Sequence, residues 1–216
     1  MSLVTLFQFL LDILFPKRSR IRELEAMDPF TLASHAEKPD GRAGKEILSC
    51  FSYQDALIRQ AIWELKYRGN RKVAKLLATI LYDELLAFLE EYASVTNFTD
   101  PLLIPLPLSK KRERERGFNQ CRLLTDEIAR LDEGKNVTFS FALSKIKDTQ
   151  SQTKQDSRAK RLENLAGCFH VEAEAVRDRN IILIDDVVTT GATIEEARRT
   201  LRSAGAKKVI AFTVAH

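Results

Sequence analysis

Residues 181–193 read IILIDDVVTTGAT, an apolar run closed by two adjacent carboxylates and followed by a threonine-rich turn. Four successive apolar residues, Ile181 to Ile184, predict a central strand buried on both faces. Asp185 and Asp186 then fall at its carboxyl end, where open α/β sheets place their ligands. Two neighbouring carboxylates taken out of water without partners are costly, so this pair calls for water, donors or a cation. A vicinal diol such as a ribose could donate to both, and a hard metal ion could be drawn to both.

The turn supplies the complementary chemistry. Gly191 permits a positive φ or a close approach of backbone amides to an anion, and Thr189 and Thr190 add hydroxyl donors. Thr193 followed by Glu196 has the spacing of a capping box, which would start a helix there and point its free amides at a phosphate. Val188 and Ala192 complete the cradle. Diol acceptors beside a phosphate cradle describe a ribose 5-phosphate. A nucleotide P-loop would need GxxxxGK[ST], and no lysine follows Gly191. A dinucleotide fold would need GxGxxG, and one glycine is present. A receiver domain also carries paired aspartates after a strand, but its later functional residues have too little chain left to occupy. An acidic turn without a ligand would not gather so many special residues.

The elements that must position these residues can be read outward. Strand IILIDDV, helix TIEEARRTLRSAG and strand KKVIAFTVA close the chain. LLIPLPL (102–108) is a short strand that Pro105 and Pro107 should fray or push to an edge. SKKRERERGFNQ follows, then QCRLLTDEIARL as an amphipathic helix and VTFSFALSKI (137–146) as a strand alternating with period two. Upstream, an apolar stripe from Asp55 stops near KYRGN, where Gly69 and Asn70 supply a C-cap, and a second helix runs from about Arg71 to Tyr92. Residues 17–46 look irregular, and 147–164 are polar throughout, as a mobile loop would be. Strands alternating with helices predict a parallel sheet with helices on both faces.

Composition bounds the rest. The chain has 216 residues, enough for one ordinary domain with a small extension, and its net charge of +4 suits phosphate-bearing ligands without requiring them. Cys50, Cys121 and Cys168 form no CxxC pair, so they read as small core residues in a reducing, cytoplasmic compartment. The first twenty residues, MSLVTLFQFLLDILFPKRSR, lack a basic start and a cleavage site, and Gln8 and Asp12 interrupt an apolar run too short to span a bilayer. Leu3, Leu6, Phe7, Leu10, Leu11, Leu14 and Phe15 share one helical face, which predicts docking on the body of the protein. Interfacial membrane contact through Lys17, Arg18 and Arg20 is the lesser reading, and stable insertion is not expected. His35, His170 and His216 pair with no nucleophile.

IILIDDVVTTGAT resembles the phosphoribosyl-pyrophosphate (PRPP) signature of type I phosphoribosyltransferases. ELKYRGN (64–70), PLPLSKKRERERGFNQ (105–120) and DTQSQTKQDSRAKRLEN (148–164) narrow the likeness to the competence-protein ComF family. The resemblance implies a type I phosphoribosyltransferase-like parallel sheet flanked by helices, with a helical N-terminal extension. Residues 1–50 would form that extension, and 51–216 the phosphoribosyltransferase-like domain with a helical hood over 51–100. It implies displacement at the ribose C1 of PRPP, with pyrophosphate leaving and Mg2+ held at Asp185 and Asp186 mostly through ligand or water. Asp185, Asp186 and Arg116 would carry the chemistry. Ser109, Lys110, Gly117 and Gln120 would bind pyrophosphate beside Arg112 and Arg114, while Val188, Thr189, Thr190, Gly191, Ala192 and Thr193 would hold the 5-phosphate. Gln152 and Arg158, with Lys154 behind them, would contact ligand from a lid over 147–164, and Lys66 and Tyr67 would belong to the hood. ComF-like proteins commonly open with a four-cysteine zinc ribbon; no cysteine precedes Cys50 here, so that site should be absent and no zinc is expected. The alternative is a non-catalytic accessory protein that binds PRPP, a nucleoside 5-phosphate or single-stranded DNA beside the DNA-uptake machinery. Against DNA, Phe118 is the only aromatic residue within the basic run, and a purely structural protein fits the acid pair poorly.

Overall fold

The computed structural model describes residues 17–40, 46–148 and 165–216. Its chain order is α1 (Lys17–Ala26), α2 (Pro29–His35), β1 (Ile47–Phe51), α3 (Ala56–Arg68), α4 (Arg71–Val95), β2 (Leu102–Pro105), α5 (Lys110–Arg116), α6 (Gln120–Asp132), β3 (Thr138–Phe139), β4 (Leu143–Lys145), β5 (Phe169–Val171), α7 (Ala173–Val176), β6 (Asn180–Val187), α8 (Ala192–Ser203) and β7 (Lys208–Ala215). Five strands form one parallel sheet in the order β1-β7-β6-β2-β3, and β4 pairs antiparallel with β5 in a small separate sheet. From β2 the chain crosses over through α6 to β3 on one side, then returns to β6 on the other. Strand order therefore reverses between β2 and β6, and the carboxyl ends of those two strands bound the crevice such a reversal creates.

Strand alternation divides the core into two layers. Ile182, Ile184, Ile210, Phe212 and Leu103 pack with Leu77, Leu81 and Leu85 of α4 and Leu124 and Ile128 of α6. Ile181, Leu183, Val209, Ala211 and Ile104 pack with Ile194, Ala197 and Leu201 of α8 and with Leu143 and Phe169 of the small sheet. β6 is apolar on both faces because both faces are covered.

Several expectations require correction. Residues 17–46 are not wholly irregular: α1 and α2 occupy 17–26 and 29–35, and buried Leu24 and Leu32 anchor them to the core. Asp28 caps α2 by accepting from the Thr31 amide at 2.9 Å, and Pro29 stands at the first helical turn, where a missing N–H costs nothing. The strand expected over 137–146 is two strands in two sheets, β3 and β4, because the chain leaves the main sheet after Phe139. β2 is interior rather than marginal, yet β3 pairs only with Leu102 and Leu103. Parallel pairing alternates sides, so the backbone N–H missing at Pro105 would have faced the side that β3 has already left. A boundary between residues 50 and 51 falls inside β1, which is an edge strand of the main sheet. The apolar face from Leu3 to Phe15 lies outside the described residues.

The α3–α4 junction sets the wall over the crevice. Asp55 caps α3, accepting from the Leu57 and Ile58 amides at 2.7 and 3.0 Å. Gly69 ends it with φ 57°, and Asn70, rather than closing α3, caps α4 by accepting from Lys72 and Val73. A Cβ at position 69 would stand 3.0 Å from the Phe118 ring, so this turn abuts the loop between α5 and α6. Gly69→Ala should combine left-handed strain with that clash and destabilise by about 1–3 kcal/mol, measured by the urea midpoint. A midpoint equal to wild type would show that Phe118 swings aside and the two segments are not braced together.

Candidate functional site

A cleft of about 590 Å³ opens at the carboxyl ends of β2 and β6. Asp185, Asp186 and Val187 line it from β6, and Leu106, Pro107 and Leu108 from the loop after β2. α5 contributes Arg112, Glu115 and Arg116, and α6 contributes Gln120 and Cys121. Lys66 and Tyr67 enter from α3, Lys145 from β4 and Thr193 from α8. A smaller concavity of about 40 Å³ lies over residues 187–194 and shares Asp185, Val187 and Thr193 with the cleft. Val188, Thr189, Thr190, Gly191 and Ala192 line only this smaller recess.

The recess is an open helix end. α8 starts at Ala192, with Gly191 at the cap position, φ 73°, and no side chain caps it. The expected Thr193–Glu196 box does not form. Glu196 instead accepts from the Gly167 amide at 2.6 Å and pairs with Arg199 at 2.7 Å. The first helical bond runs from the Glu195 amide to the Gly191 carbonyl, so the amides of residues 192–194 have no helical acceptor and carry the positive end of the helix dipole.

The acid pair sits differently from a simple exposed dyad. Asp186 is 2 % exposed, and Lys66 Nζ stands 2.9 Å from its Oδ2, although no donor with hydrogen-bonding geometry reaches that oxygen among the described residues. Asp185 Oδ1 accepts from the Asp186 amide at 2.9 Å and from the Cys121 thiol at 3.3 Å. Burial, and then the charge of Asp186, push the Asp185 carboxyl up to about 7, against the opposing pull of Lys66. Burial and the two carboxylates push the Cys121 thiol well above its ordinary range. Burial works to lower Lys66, but the attraction of Asp186 outweighs it and the ammonium is held above its usual value. Among the described residues Lys145 has no such close ion-pair partner, and burial pushes it down.

Cys121, Asp185 and Asp186 present donor atoms within 4.8 Å of one another. For a hard cation such as Mg2+ the fit is partial: two carboxylates face the cleft, but a thiol and an ammonium share their space. Mg2+ here would be held chiefly by oxygens of a ligand and water, with Asp185 and Asp186 orienting that shell.

The remaining expected residues divide. Arg116 donates to the Gln120 side chain and stacks over the Tyr67 ring at 5.6 Å, so these three form one cleft wall. Asn119 donates to the Leu106 carbonyl at 3.1 Å and caps α6, tying the loop to the end of β2. Ser109 does not line the cleft; it is buried, caps α5 and donates to Asp148 at 2.6 Å. Lys110 is exposed and does not line the cleft, nor does Gly117, φ 82°, which ends α5 directly after Arg116. Gln152, Lys154 and Arg158 lie outside the described residues. Cys121 and Lys145 were legible only as a core thiol and a strand residue, and nothing local to either signals the acid pair.

Residues 121–216 match the phosphoribosyl transferase domain family, and the fold is phosphoribosyltransferase-like. The competence protein ComFC of Bacillus subtilis is 31 % identical over 77 % of this chain and 62 % of its own length. ComFC of Streptococcus pneumoniae is 30 % identical over 76 % of this chain and 65 % of its own. The chain is similar to these competence proteins over about three quarters of its own residues, and spans a little under two thirds of their length. The DNA utilization protein YhgH of Escherichia coli K12 is 28 % identical over 82 % of this chain and 77 % of its own. Among solved structures, the glutamine PRPP amidotransferase of B. subtilis superposes with a TM-score of 0.40 at 15 % identity, covering 65 % of this chain and 25 % of that one. The hypoxanthine-guanine phosphoribosyl transferase of Leishmania donovani gives 0.39 at 14 %, covering 66 % and 67 %. The strand order and the family match, not these superpositions, carry the fold. No described helix is long and apolar enough to cross a membrane.

The raised Asp185 value has a consequence for stability. The folded carboxyl keeps its proton to about pH 7, whereas the unfolded one releases it near pH 4. Between those values the folded state binds more protons, so this group's contribution falls as pH rises. Asp185→Asn should therefore be more stable than wild type at pH 8, by roughly 1–3 kcal/mol. That advantage should shrink as pH falls towards about 4. Urea midpoints at pH 5 and pH 8 measure it, and an advantage that grows on acidification would contradict the assignment.

Proposed function

We propose that this protein binds a phosphoribosyl compound, PRPP or a nucleoside 5-phosphate, and that with Mg2+ and a suitable acceptor it transfers the phosphoribosyl group with release of pyrophosphate in the cytoplasm. One observation carries the reading: an acid pair and an uncapped helix N-terminus open into adjoining concavities that share Asp185, Val187 and Thr193 at the reversal of strand order. Asp185 and Asp186 would accept hydrogen bonds from the ribose 2- and 3-hydroxyls and favour positive charge developing on the sugar ring. The amides of residues 192–194, with the hydroxyls of Thr189, Thr190 and Thr193, would grip the 5-phosphate. Anchoring the phosphate at a distance from the reacting carbon fixes C1 in the cleft. Arg112, Arg116 and Lys145 supply positive charge along the cleft wall, where a pyrophosphate leaving group would be stabilised. Mg2+ would neutralise charge on that leaving group. Tyr67 and its neighbours on α3, part of the hood, would face the acceptor.

Calorimetric titration with PRPP and Mg2+ tests this. Wild type should show saturable binding of one equivalent. Asp185→Asn/Asp186→Asn should lose at least about tenfold in affinity, as should Thr193→Val with Thr190→Val. Equal, weak binding by all three proteins would remove the phosphoribosyl reading.

A specific surface also favours the second reading, a module for single-stranded DNA. Trp63 and Tyr67 are exposed at 47 % and 63 %, with ring centroids 5.5 Å apart. Arg68 covers Trp63 at 5.2 Å, and Arg116 covers Tyr67. The expectation that Phe118 alone accompanies the basic run does not hold in three dimensions, since Phe118 is half-buried against Gly69 while α3 brings Tyr67 under Arg116, with Trp63 beside it. Cationic groups interleaved with rings suit stacked bases and a phosphate backbone. An oligothymidine shift that weakens steeply with salt and is lost in Trp63→Ala/Tyr67→Ala would favour this reading. A shift indifferent to those rings would remove it.

A further inference from the structure

The donor set at the cleft floor does not match the hard cation that phosphoribosyl chemistry calls for. Cys121 contributes sulfur, Asp185 and Asp186 contribute oxygen, and the three ligand atoms lie within 4.8 Å of one another. Cys121 is 1 % exposed and comes from the first turn of α6, whereas both aspartates come from β6. Asn119 fixes the thiol's position, because its side chain caps α6 through the Cys121 amide at 2.9 Å while its amide nitrogen holds the Leu106 carbonyl. The thiol donates to Asp185 at 3.3 Å, so its sulfur is already directed at the acid pair and loss of its proton would turn it into a ligand. Asp186 supplies the second sign: among the described residues its buried Oδ2 has no donor in good hydrogen-bonding geometry. It is balanced by the Lys66 ammonium 2.9 Å away, which arrives from a different element on a flexible stem that an incoming cation could displace.

We propose that Cys121, Asp185 and Asp186 form a site for one thiophilic divalent cation of the Zn2+ class. Sulfur ligation selects such ions over Mg2+ or Ca2+, which prefer oxygen throughout. About three protein donors with one position left open is a common arrangement for Zn2+. Here the open position faces the cleft. On binding, bonds form from the metal to the Cys121 sulfur and to the two carboxylates, the thiol proton and the proton Asp185 holds leave to solvent, and Lys66 withdraws from Asp186. No electron changes hands. The ion then occupies the carboxylates that the phosphoribosyl reading assigns to the ribose, so it blocks that ligand; this second half rests on that reading, whereas metal binding itself rests on the donor geometry.

The test uses the full chain with its thiols reduced and no phosphoribosyl compound present. Titration with Co2+ and with Cd2+ should give one equivalent bound and a thiolate-to-metal charge-transfer band, and Cys121→Ser should abolish the band. Asp185→Asn, expected to be at least as stable as wild type at neutral pH, should retain the band but bind Cd2+ about tenfold more weakly or worse. No band in wild type, a band that survives Cys121→Ser, or unchanged Cd2+ affinity in Asp185→Asn would each overturn the site. Ribose 5-phosphate, a weak chelator, should then displace the ion as it saturates. A band indifferent to ribose 5-phosphate, with the metal results intact, would overturn the shared occupancy and count against the phosphoribosyl reading, leaving the metal site standing.

Discussion

Two carboxylates on consecutive residues, at the end of a strand covered on both faces, repel each other and are poorly solvated. Much of the cleft can be understood as the containment of that repulsion. Strand alternation sends Asp185 and Asp186 towards opposite layers, Asp185 to the side of Cys121 and Asp186 to the side of α3. Lys66 lies against Asp186, 2.9 Å from its carboxylate, while Asp185 receives a thiol and a backbone amide and keeps its proton to about pH 7. Neither arrangement fully solvates the acids. A pair held in this condition gains from any incoming group that offers hydroxyl donors or positive charge, which is the sense in which the site is poised for a ligand.

The same constraint explains why elements distant in sequence converge on one crevice. Reversal of strand order between β2 and β6 leaves their carboxyl ends uncovered by a crossover helix. α3 leans over the opening from the α4 layer with Lys66 and Tyr67, and α5 and the start of α6 close the side with Arg116 and Gln120. Asn119 and Gly69 brace these walls: one ties the α5–α6 loop to Leu106, and the other lets Phe118 lie against the α3–α4 turn. Beneath, the uncapped start of α8 contributes amides rather than side chains. Acids above amides is an arrangement that would reject a ligand of uniform charge and accept one with neutral hydroxyls at one end and a phosphate at the other.

A ribose phosphate and a soft cation make opposite demands on this floor. The sugar needs both carboxylates unoccupied and leaves the thiol idle, whereas the cation needs the thiol and excludes the sugar. Lys66 competes with both. Which occupant prevails is therefore decided by local charge around Asp186 as much as by the shape of the cleft, and a hood helix that moves Lys66 changes the balance for either.

The linear pattern of IILIDDVVTTGAT determined a good deal unaided. A run of four apolar residues specifies a doubly covered strand, the side-by-side acids mark its carboxyl end, and a glycine before a helical period specifies a left-handed turn into a helix; all are local properties of neighbouring residues. Alternation of strand and helix likewise determined a parallel sheet. Tertiary structure alone decided the rest, because it concerns pairs separated by tens of residues. That Lys66 meets Asp186, that Cys121 is a neighbour of the acid pair and not simply core, and that Tyr67 lies under Arg116 follow from strand order and helix packing. Even the capping-box reading of Thr193 and Glu196 failed for this reason: Gly167, arriving with the strand before α7, offers Glu196 an amide that the local sequence cannot display.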